Sequence, residues 1–345
     1  MTAAAAKANW GRRLLRLLVI LAGLGALLLA TLWAAAALYF DVRVGWLRGP
    51  LAGLYVGVIV TVWVLVKPRW RAAALTAGAF LIVYGWWSLL SPSNDRNWTP
   101  DLAVLPYAEI HGDRVTIHNI RNCDYRSETD YDVRHYDRTV NLEDLRSVDL
   151  YMVYWGSPLM AHTMMSFGFG DDAYVCFSIE TRKEQGEGYS AVKGLFRQFE
   201  LTYVIADERD VVRLRTNYRN GEDAYLYRLK TTPEAARRLF LDYVNRANRL
   251  REQPEWYNAV TDNCTTGIRT QRAATDRAPW DYRVLVNGLG NELLYARGRI
   301  ATNLPLAELK ERGHINARAK AADQADDFSR QIRVGLPDPN LTSLR

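Results

Sequence analysis

The N-terminal part of the chain contains three apolar runs, which decide how much of it can be surrounded by lipid. Residues 17–40 are 24 consecutive residues without a charge. As a helix rising about 1.5 Å per residue, they can cross a hydrocarbon core of roughly 30 Å. Residues 50–66 and 72–92 form two further uncharged runs, the last of which ends near a Trp-Trp pair suited to a membrane interface. The sequence therefore predicts a membrane anchor of three transmembrane helices within residues 1–93.

Basic residues beside these runs predict the orientation of the anchor. The segment before the first run and the loop at 67–71 are rich in Lys and Arg, whereas the loop between the first two runs holds only Arg43 and Arg48. Short cytoplasmic flanks carry the excess of basic residues in membrane proteins. We therefore expect a cytoplasmic N-terminus, and three crossings would place the chain after residue 92 on the outer side.

The formal net charge of +6 is divided unevenly between the anchor and the rest of the chain. Residues 1–93 contain nine basic residues and one acidic residue, and the remainder contains 35 basic and 37 acidic residues. The exported part is therefore nearly neutral, and the positive charge belongs to the membrane flanks. This distribution argues against nucleic acid as a partner.

The exported part, residues 94–316, reads as one mixed α+β domain. Alternating apolar residues predict strands, and Pro233 after a Thr cap predicts the start of an amphipathic helix over 233–251. A hairpin is predicted where two such strands, 162–169 and 174–180, flank Gly-Asp-Asp. Residues 317–345 are polar and then proline-containing, which indicates a loosely held C-terminal tail. The other predicted strands are 115–117, 134–140 and 150–154.

Three cysteines, Cys123, Cys176 and Cys264, do not make a disulfide framework in an exported protein. At least one must be a free thiol, and the sequence establishes no pairing. Cys264 lies among polar residues and opens a predicted helix, with Asp262 or Asn263 as its N-cap. Because a helix N-terminus lowers the pKa of a thiol, Cys264 is the candidate nucleophile.

His162, on the first strand of the predicted hairpin, is the candidate base for Cys264. An imidazole can take the thiol proton, provided that a third polar group fixes its orientation. Depending on the hairpin register, Ser178, Glu180 or Arg182 lies near His162, and Glu180 and Ser178 are the candidates for the third position. Taken alone, a cysteine is commonly a small buried hydrophobe, and a histidine beside a Met-rich strand is more often a core residue than a base.

Metal and cofactor sites find little support in the sequence. His111, Asp113 and His118 lie within eight residues, but on a strand the third points away from the first two. No short Cys/His cluster suits a closed metal site. No phosphate-binding loop or dinucleotide fingerprint is present, so we expect neither a metal nor a cofactor.

Short motifs spread over roughly residues 100–275 occur in the order DYRSETD (124–130), YWGSP (154–158), SIETR (178–182), EGYS (187–190), ELTY (200–203), DERD (207–210) and DNCTT (262–266). Together these motifs resemble the Lnb lipoprotein N-acyltransferase N-terminal periplasmic domain family. The resemblance implies a bacterial inner-membrane protein with a periplasmic domain, in which His162 and Cys264 form a catalytic pair. Histidine before cysteine is also similar to permuted papain-like enzymes of the NlpC/P60 type. This likeness implies a papain-like domain with an antiparallel sheet and its nucleophile at a helix N-terminus.

The resemblance implies a thiol acyltransferase that moves a fatty acyl chain from a membrane phospholipid, through a cysteine thioester, to the N-terminal amine of a lipoprotein. Arg182, Asn263 and Tyr189 are candidate substrate or headgroup contacts, and Arg182 comes first because it is closest to the proposed active strand. Two alternatives remain: an NlpC/P60-type amidase acting on peptidoglycan, and a non-catalytic envelope binding module. A transferase predicts apolar residues around the thiol, whereas an amidase predicts an open polar groove.

Overall fold

A computed structural model describes residues 3–170, 172–261, 281–284 and 286–337. The chain divides into two compact units. The first consists of Met1–Ser91 and the short segment Phe196–Gln198, and the second of Pro92–Leu195 and Phe199–Arg345.

The first unit is helical. Its helices are α1 (Ala3–Asp41), α2 (Gly45–Leu65) and α3 (Arg69–Ser88). Aromatic side chains join them, since Trp33 lies 5.8 Å from Phe80 between ring centroids and Phe40 lies 5.1 Å from Phe196. The unit therefore has an aromatic core of its own.

The prediction of three membrane crossings is corrected to two candidate spans. In the described part of the chain, Trp10–Asp41 and Gly45–Leu65 are long and apolar enough to cross a membrane. The third run does form a helix, α3, but Arg69 and Arg71 lie in its first turn and its last turns are rich in Trp and Tyr. These residues lower its mean hydropathy, and the number of crossings no longer fixes the side on which the second unit lies.

The second unit contains an eight-stranded, mostly antiparallel sheet with the order β1-β2-β9-β8-β7-β6-β10, in which β5 pairs with β2. Strands β2 and β9 pair in parallel, at Arg121 and Ala206. A separate two-stranded sheet is formed by β3 (Asp124–Tyr125) and β4 (Tyr131–Asp132). The predicted α+β class and antiparallel sheet are confirmed. The strands of the large sheet are β1 (Tyr107–His111), β2 (Arg114–Arg121), β5 (His135–Asn141), β6 (Leu145–Trp155), β7 (Ser157–Phe169), β8 (Ala173–Arg182), β9 (Glu200–Ala206) and β10 (Glu222–Arg228).

Helix α5 (Pro233–Glu252) covers one face of this sheet, close to the predicted 233–251. Thr232 caps it by accepting a hydrogen bond from the backbone N–H of Ala235 (3.2 Å). Phe240 is fully buried, and its ring lies 5.2 Å from that of Phe167 on β7. Truncating such a side chain to alanine typically lowers the free energy of unfolding by about 3–5 kcal/mol, so this contact is central to the core.

The opposite face is covered by C-terminal elements, which corrects the prediction of a loosely held tail as far as residue 337. Ile315, Phe328 and Ile332 are fully buried against this face. Their apolar spacing is too sparse to stand out in a polar sequence, yet each side chain fills the core. The helices after α5 are α6 (Gly290–Ala296), α7 (Leu306–Gly313), α8 (Asn316–Ala321) and α9 (Phe328–Gln331); α4 (Glu208–Arg213) precedes β10.

A buried ionic cluster fastens the C-terminal segment to the sheet. The Arg333 guanidinium lies 2.6 Å from Glu208 Oε1 and 2.9 Å from Asp149 Oδ2. Tyr151 and Ser166 also donate hydrogen bonds to Glu208. Burial alone would raise the pKa of Asp149, but the nearby arginines hold it below its ordinary value. Buried charges of this kind persist only when they are paired.

Candidate functional site

The predicted hairpin is formed by β7 and β8, and it places the candidate base. Met164 on β7 pairs with Ser178 on β8. Gly170 in the turn has a φ of +59°, a conformation that glycine adopts without strain. Because side chains alternate along a strand, His162 and Met164 share one face of the sheet.

His162, Ser178 and Glu180 form a connected polar group at this end of the hairpin. His162 is 7 % exposed, and its Nε2 lies 2.7 Å from Ser178 Oγ. The Ser178 hydroxyl in turn donates a hydrogen bond to Glu180 Oε1 (2.6 Å), which lies 3.0 Å from the same His162 nitrogen. The structure thus brings together the candidate base and both candidates for the third position, and it fixes the register that the sequence left open.

Arg215 completes the group from a neighbouring element, the single turn of π-helix Leu214–Tyr218 that follows α4. Its guanidinium donates to Glu180 Oε1 (3.2 Å) and to Glu222 Oε2 (3.2 Å). Burial alone would raise the pKa of Glu180, but His162, Arg215 and Ser178 hold it well below its ordinary value. Glu180 is therefore a stable carboxylate against the imidazole.

A cavity of about 400 Å³ opens beside this group. Its walls combine apolar and aromatic side chains with charged ones. This mixed lining matches neither a purely apolar pocket nor a purely polar groove. It is formed by Trp155, Met160, His162, Ile179, Glu180, Thr181, Lys183, Tyr189, Ala191, Arg215, Arg219, Glu222, Tyr257, Ala259 and Asn287.

Both flanks of the segment that contains the candidate nucleophile line this cavity. Tyr257 and Ala259 precede it, and Asn287 follows it. The Asn287 side chain accepts a hydrogen bond from the backbone N–H of Ala161, the neighbour of His162 (3.0 Å). Cys264 and Asn263, like the helix predicted to start there, lie outside the described residues.

Residues 131–288 match the protein family described as the Lnb N-terminal periplasmic domain. This segment is similar to the Lnb N-terminal periplasmic domain. The matched range contains His162, Ser178, Glu180 and Arg215 and, by sequence, Cys264. No curated protein and no solved structure matched the chain. The resemblance is thereby confirmed, whereas the papain-like likeness stays a prediction.

The two described cysteines of the protein are unsuited to nucleophilic chemistry. Cys123 and Cys176 are free, buried thiols. Burial, followed by the charge of Asp210, raises the pKa of Cys123 to about 12. Burial likewise raises the pKa of Cys176 well above its ordinary value. Since a thiolate is the reactive form, neither residue is a nucleophile near neutral pH.

Arg182 is not among the residues that line the cavity, although its neighbours Thr181 and Lys183 are. It is 2 % exposed, and its guanidinium donates to the carbonyl oxygens of Leu102 and Ala103 and to Asn94. It also stacks on Trp98, 4.2 Å from the ring centroid. Burial lowers the pKa of Arg182 to about 10. These contacts disfavour the predicted headgroup role, because the guanidinium is already held by the protein.

Tyr189 was predicted as a site residue and lines the cavity, whereas Arg215 was not predicted and contacts Glu180. Tyr189 lines the cavity and is 51 % exposed, so it is available for the substrate contact predicted for it. Arg215 stood in the sequence among many interleaved basic and acidic residues, and nothing local distinguished it. Its contact with Glu180 spans 35 positions.

Among the residues that the structure describes, no group of three or more His, Cys, Asp or Glu side chains is placed to hold a metal ion.

Proposed function

We propose that this protein is a membrane-anchored periplasmic thiol acyltransferase in which Cys264 is the nucleophile and His162 the base. The reaction transfers a fatty acyl chain from a phospholipid to the N-terminal amine of a lipoprotein. The observation that carries the proposal is the largely buried His162–Ser178–Glu180 group on a cavity whose wall includes the residues leading to Cys264. Similarity to the Lnb N-terminal periplasmic domain supports the envelope setting and the link to lipoproteins.

The chemistry has two balanced steps. The Cys264 thiolate attacks the ester carbonyl of the phospholipid, the carbon–oxygen bond breaks, and His162 gives the thiol proton to the departing alkoxide. The amine of the lipoprotein then attacks the thioester, the carbon–sulfur bond breaks, and the amine proton returns through His162 to the thiolate. The products are a lysophospholipid and an N-acylated lipoprotein.

The geometry and the charges of the site support these roles in three ways. His162 Nε2 faces Ser178 and Glu180, so Nδ1 is the nitrogen assigned to the thiol in this mechanism. Cys264 follows Ala259, a wall residue of the cavity, by five positions, which an extended chain spans in at most roughly 17 Å. The carboxylate of Glu180 favours the imidazolium that forms when the thiol loses its proton.

Intact mass spectrometry of the full-length protein in proteoliposomes tests the proposal. We expect a hydroxylamine-labile fatty acyl adduct on the parent, none on Cys264→Ala, and a depleted adduct on His162→Ala. Cys176→Ala is the matched control, because it removes a buried thiol of raised pKa and should keep the adduct. A parent without adduct, or an adduct that persists in Cys264→Ala, would refute the proposed nucleophile.

Isotope labelling identifies the donor in the same experiment. Vesicles made with deuterated acyl chains on the phospholipid should give an adduct of increased mass. If an unlabelled diacylglyceryl lipoprotein is present and only an unlabelled adduct forms, the lipoprotein and not the phospholipid is the donor, and that part of the proposal is wrong.

A further inference from the structure

Large apolar side chains are exposed on the segments that line the cavity and beside them. Met160 is 47 % exposed, Tyr189 51 %, Val192 53 %, Leu195 44 % and Val260 52 %. We call these five residues the apolar rim. Single exposed apolar residues are ordinary, but a contiguous group beside a cavity marks an interaction surface.

The rim residues lie on segments that are held together. Met160 and Tyr189 line the cavity, as do Ala191 and Ala259, the direct neighbours of Val192 and Val260. The backbone N–H of Ala259 donates to the carbonyl of Gly194 (2.8 Å), which joins the loop before Leu195 to the segment before Val260. The loop 189–195 and the segment before Val260 are therefore joined beside the cavity, and Met160 lines the same cavity from β7.

The loop that carries most of the rim is an ordered part of the fold. Gly194 is buried, and a Cβ atom there would lie 3.2 Å from the Tyr257 ring and 3.3 Å from Ala259. The backbone N–H of Leu195 donates to the carbonyl of Val192 (3.1 Å), closing a turn. Because this backbone is fixed, the exposure of Val192 and Leu195 is a property of the fold.

A lipid bilayer is the surface that fits the rim. Two helices in the described part of the chain are long and apolar enough to cross a membrane, and the chain continues from Leu195 directly into Phe196–Gln198 of the unit that contains them. Lys193 lies within the rim loop and Lys183 on the cavity wall. Apolar side chains beside a tyrosine are the composition that binds the interfacial layer of a membrane.

We propose that the apolar rim rests in the interfacial layer of the bilayer, so that a lipid enters the cavity beside His162 without passing through water. Docking of the apolar rim on the bilayer does not depend on the thiol chemistry. It predicts that rim side chains are shielded from water and close to acyl chains when the protein is in a membrane, and that the far end of the same hairpin is not.

Site-specific fluorescence of the full-length protein in proteoliposomes tests the rim. In a Cys264→Ala background, Val192→Cys carries an environment-sensitive nitrobenzoxadiazole label. Asp172→Cys is the matched control, since Asp172 is also about half exposed and lies beyond the end of β7, roughly 23 Å along the strand from His162. The remaining cysteines, Cys123 and Cys176, are buried and do not compete for the label.

We expect lipids that carry a doxyl quencher near the headgroup to reduce the emission at position 192 at least about twofold, with little change at 172, because interfacial side chains enter the bilayer by about 5–10 Å. Equal quenching at both positions, or none at 192, would overturn the proposal. Quenching at position 192, combined with no acyl adduct on the parent protein, would support membrane docking of the apolar rim and refute the proposed reaction. An adduct without quenching would do the reverse.

Discussion

Replacing Glu180 by glutamine tests how the buried polar group controls the thiol. Oε1 of Glu180 accepts from Ser178 and Arg215 and lies 3.0 Å from His162 Nε2, so one charged oxygen serves three partners. Gln keeps the shape but removes the charge. Arg215 keeps its contact with Glu222, which limits the structural damage.

The size of the effect follows from the charge-assisted contact. Two unit charges 3 Å apart interact by roughly 5 kcal/mol at an effective dielectric constant of 20. The Glu180 side chain is 28 % exposed, and hydrogen bonds to charged groups have a net value of about 1.5–3 kcal/mol. At about 1.4 kcal/mol per tenfold change, we expect Glu180→Gln to lower the thiolate population, and hence the rate of alkylation, about 10- to 100-fold.

The assay is the rate of iodoacetamide alkylation, followed by intact mass from pH 5 to pH 10. The pKa of Glu180 lies well below its ordinary value, so its carboxylate stays charged over this range and the acid limb reports the Cys264–His162 pair. The rates of parent and variant should converge near pH 10, where the thiol ionises without help. Glu308→Gln, which breaks an exposed pair on α7, is the control and should leave the profile unchanged. A folded Glu180→Gln protein with the parent rate at pH 6–7 would refute the reasoning.

Two further substitutions test the stability of the second unit. Arg333→Gln leaves the buried Asp149 and Glu208 carboxylates without their shared guanidinium, so we expect the free energy of unfolding to fall by about 3–5 kcal/mol. Differential scanning fluorimetry should show a fall in Tm of roughly 10 °C, against almost no change for the exposed Arg312→Gln. Equal shifts in the two variants would contradict this prediction. Burial raises the pKa of Glu200 to about 7 even though Arg96 lowers it. The contribution of Glu200 to stability is therefore fully present below about pH 4.5 and lost as the pH rises through about 7, by up to about 3 kcal/mol. Glu200→Gln should flatten this dependence in unfolding measured at pH 5 and pH 8, and an unchanged slope would show that Glu200 does not cause it.

Local patterns predicted much of the sheet and the main helix. The β7–β8 hairpin follows from alternating apolar residues around a Gly-Asp turn, and α5 follows from its Thr cap and apolar stripe. These features depend on residues a few positions apart, which is the range over which periodicity carries information. The same range explains why the hairpin was predicted but its register was not, since a one-residue slip leaves the composition of both strands unchanged.

Long-range contacts account for what the sequence did not reveal. Arg215 meets Glu180 across 35 positions, and Arg333 meets Asp149 across 184. Neither arginine differs in its local surroundings from the solvated ones around it. The contacts of Arg182 were hidden for the same reason, because its proximity in sequence to the active strand said nothing about the carbonyl groups to which it donates. The third apolar run also needed more than a count of uncharged residues, since Arg69 and Arg71 fall inside the helix.

The pairing of Arg333 also affects the order in which the domain can fold during synthesis. During synthesis Asp149 and Glu208 appear 184 and 125 residues before the guanidinium that neutralises them. Asp149 already has Arg228 as a partner, but until Arg333 has been made, closing this face of the sheet would bury the Glu208 carboxylate without an arginine. We therefore expect a chain shortened before Arg333 to be more sensitive to proteases than the full chain, because Glu208 then lacks its arginine. Completion of the fold is thus a late event, and it reports that the chain has been made at least as far as Arg333.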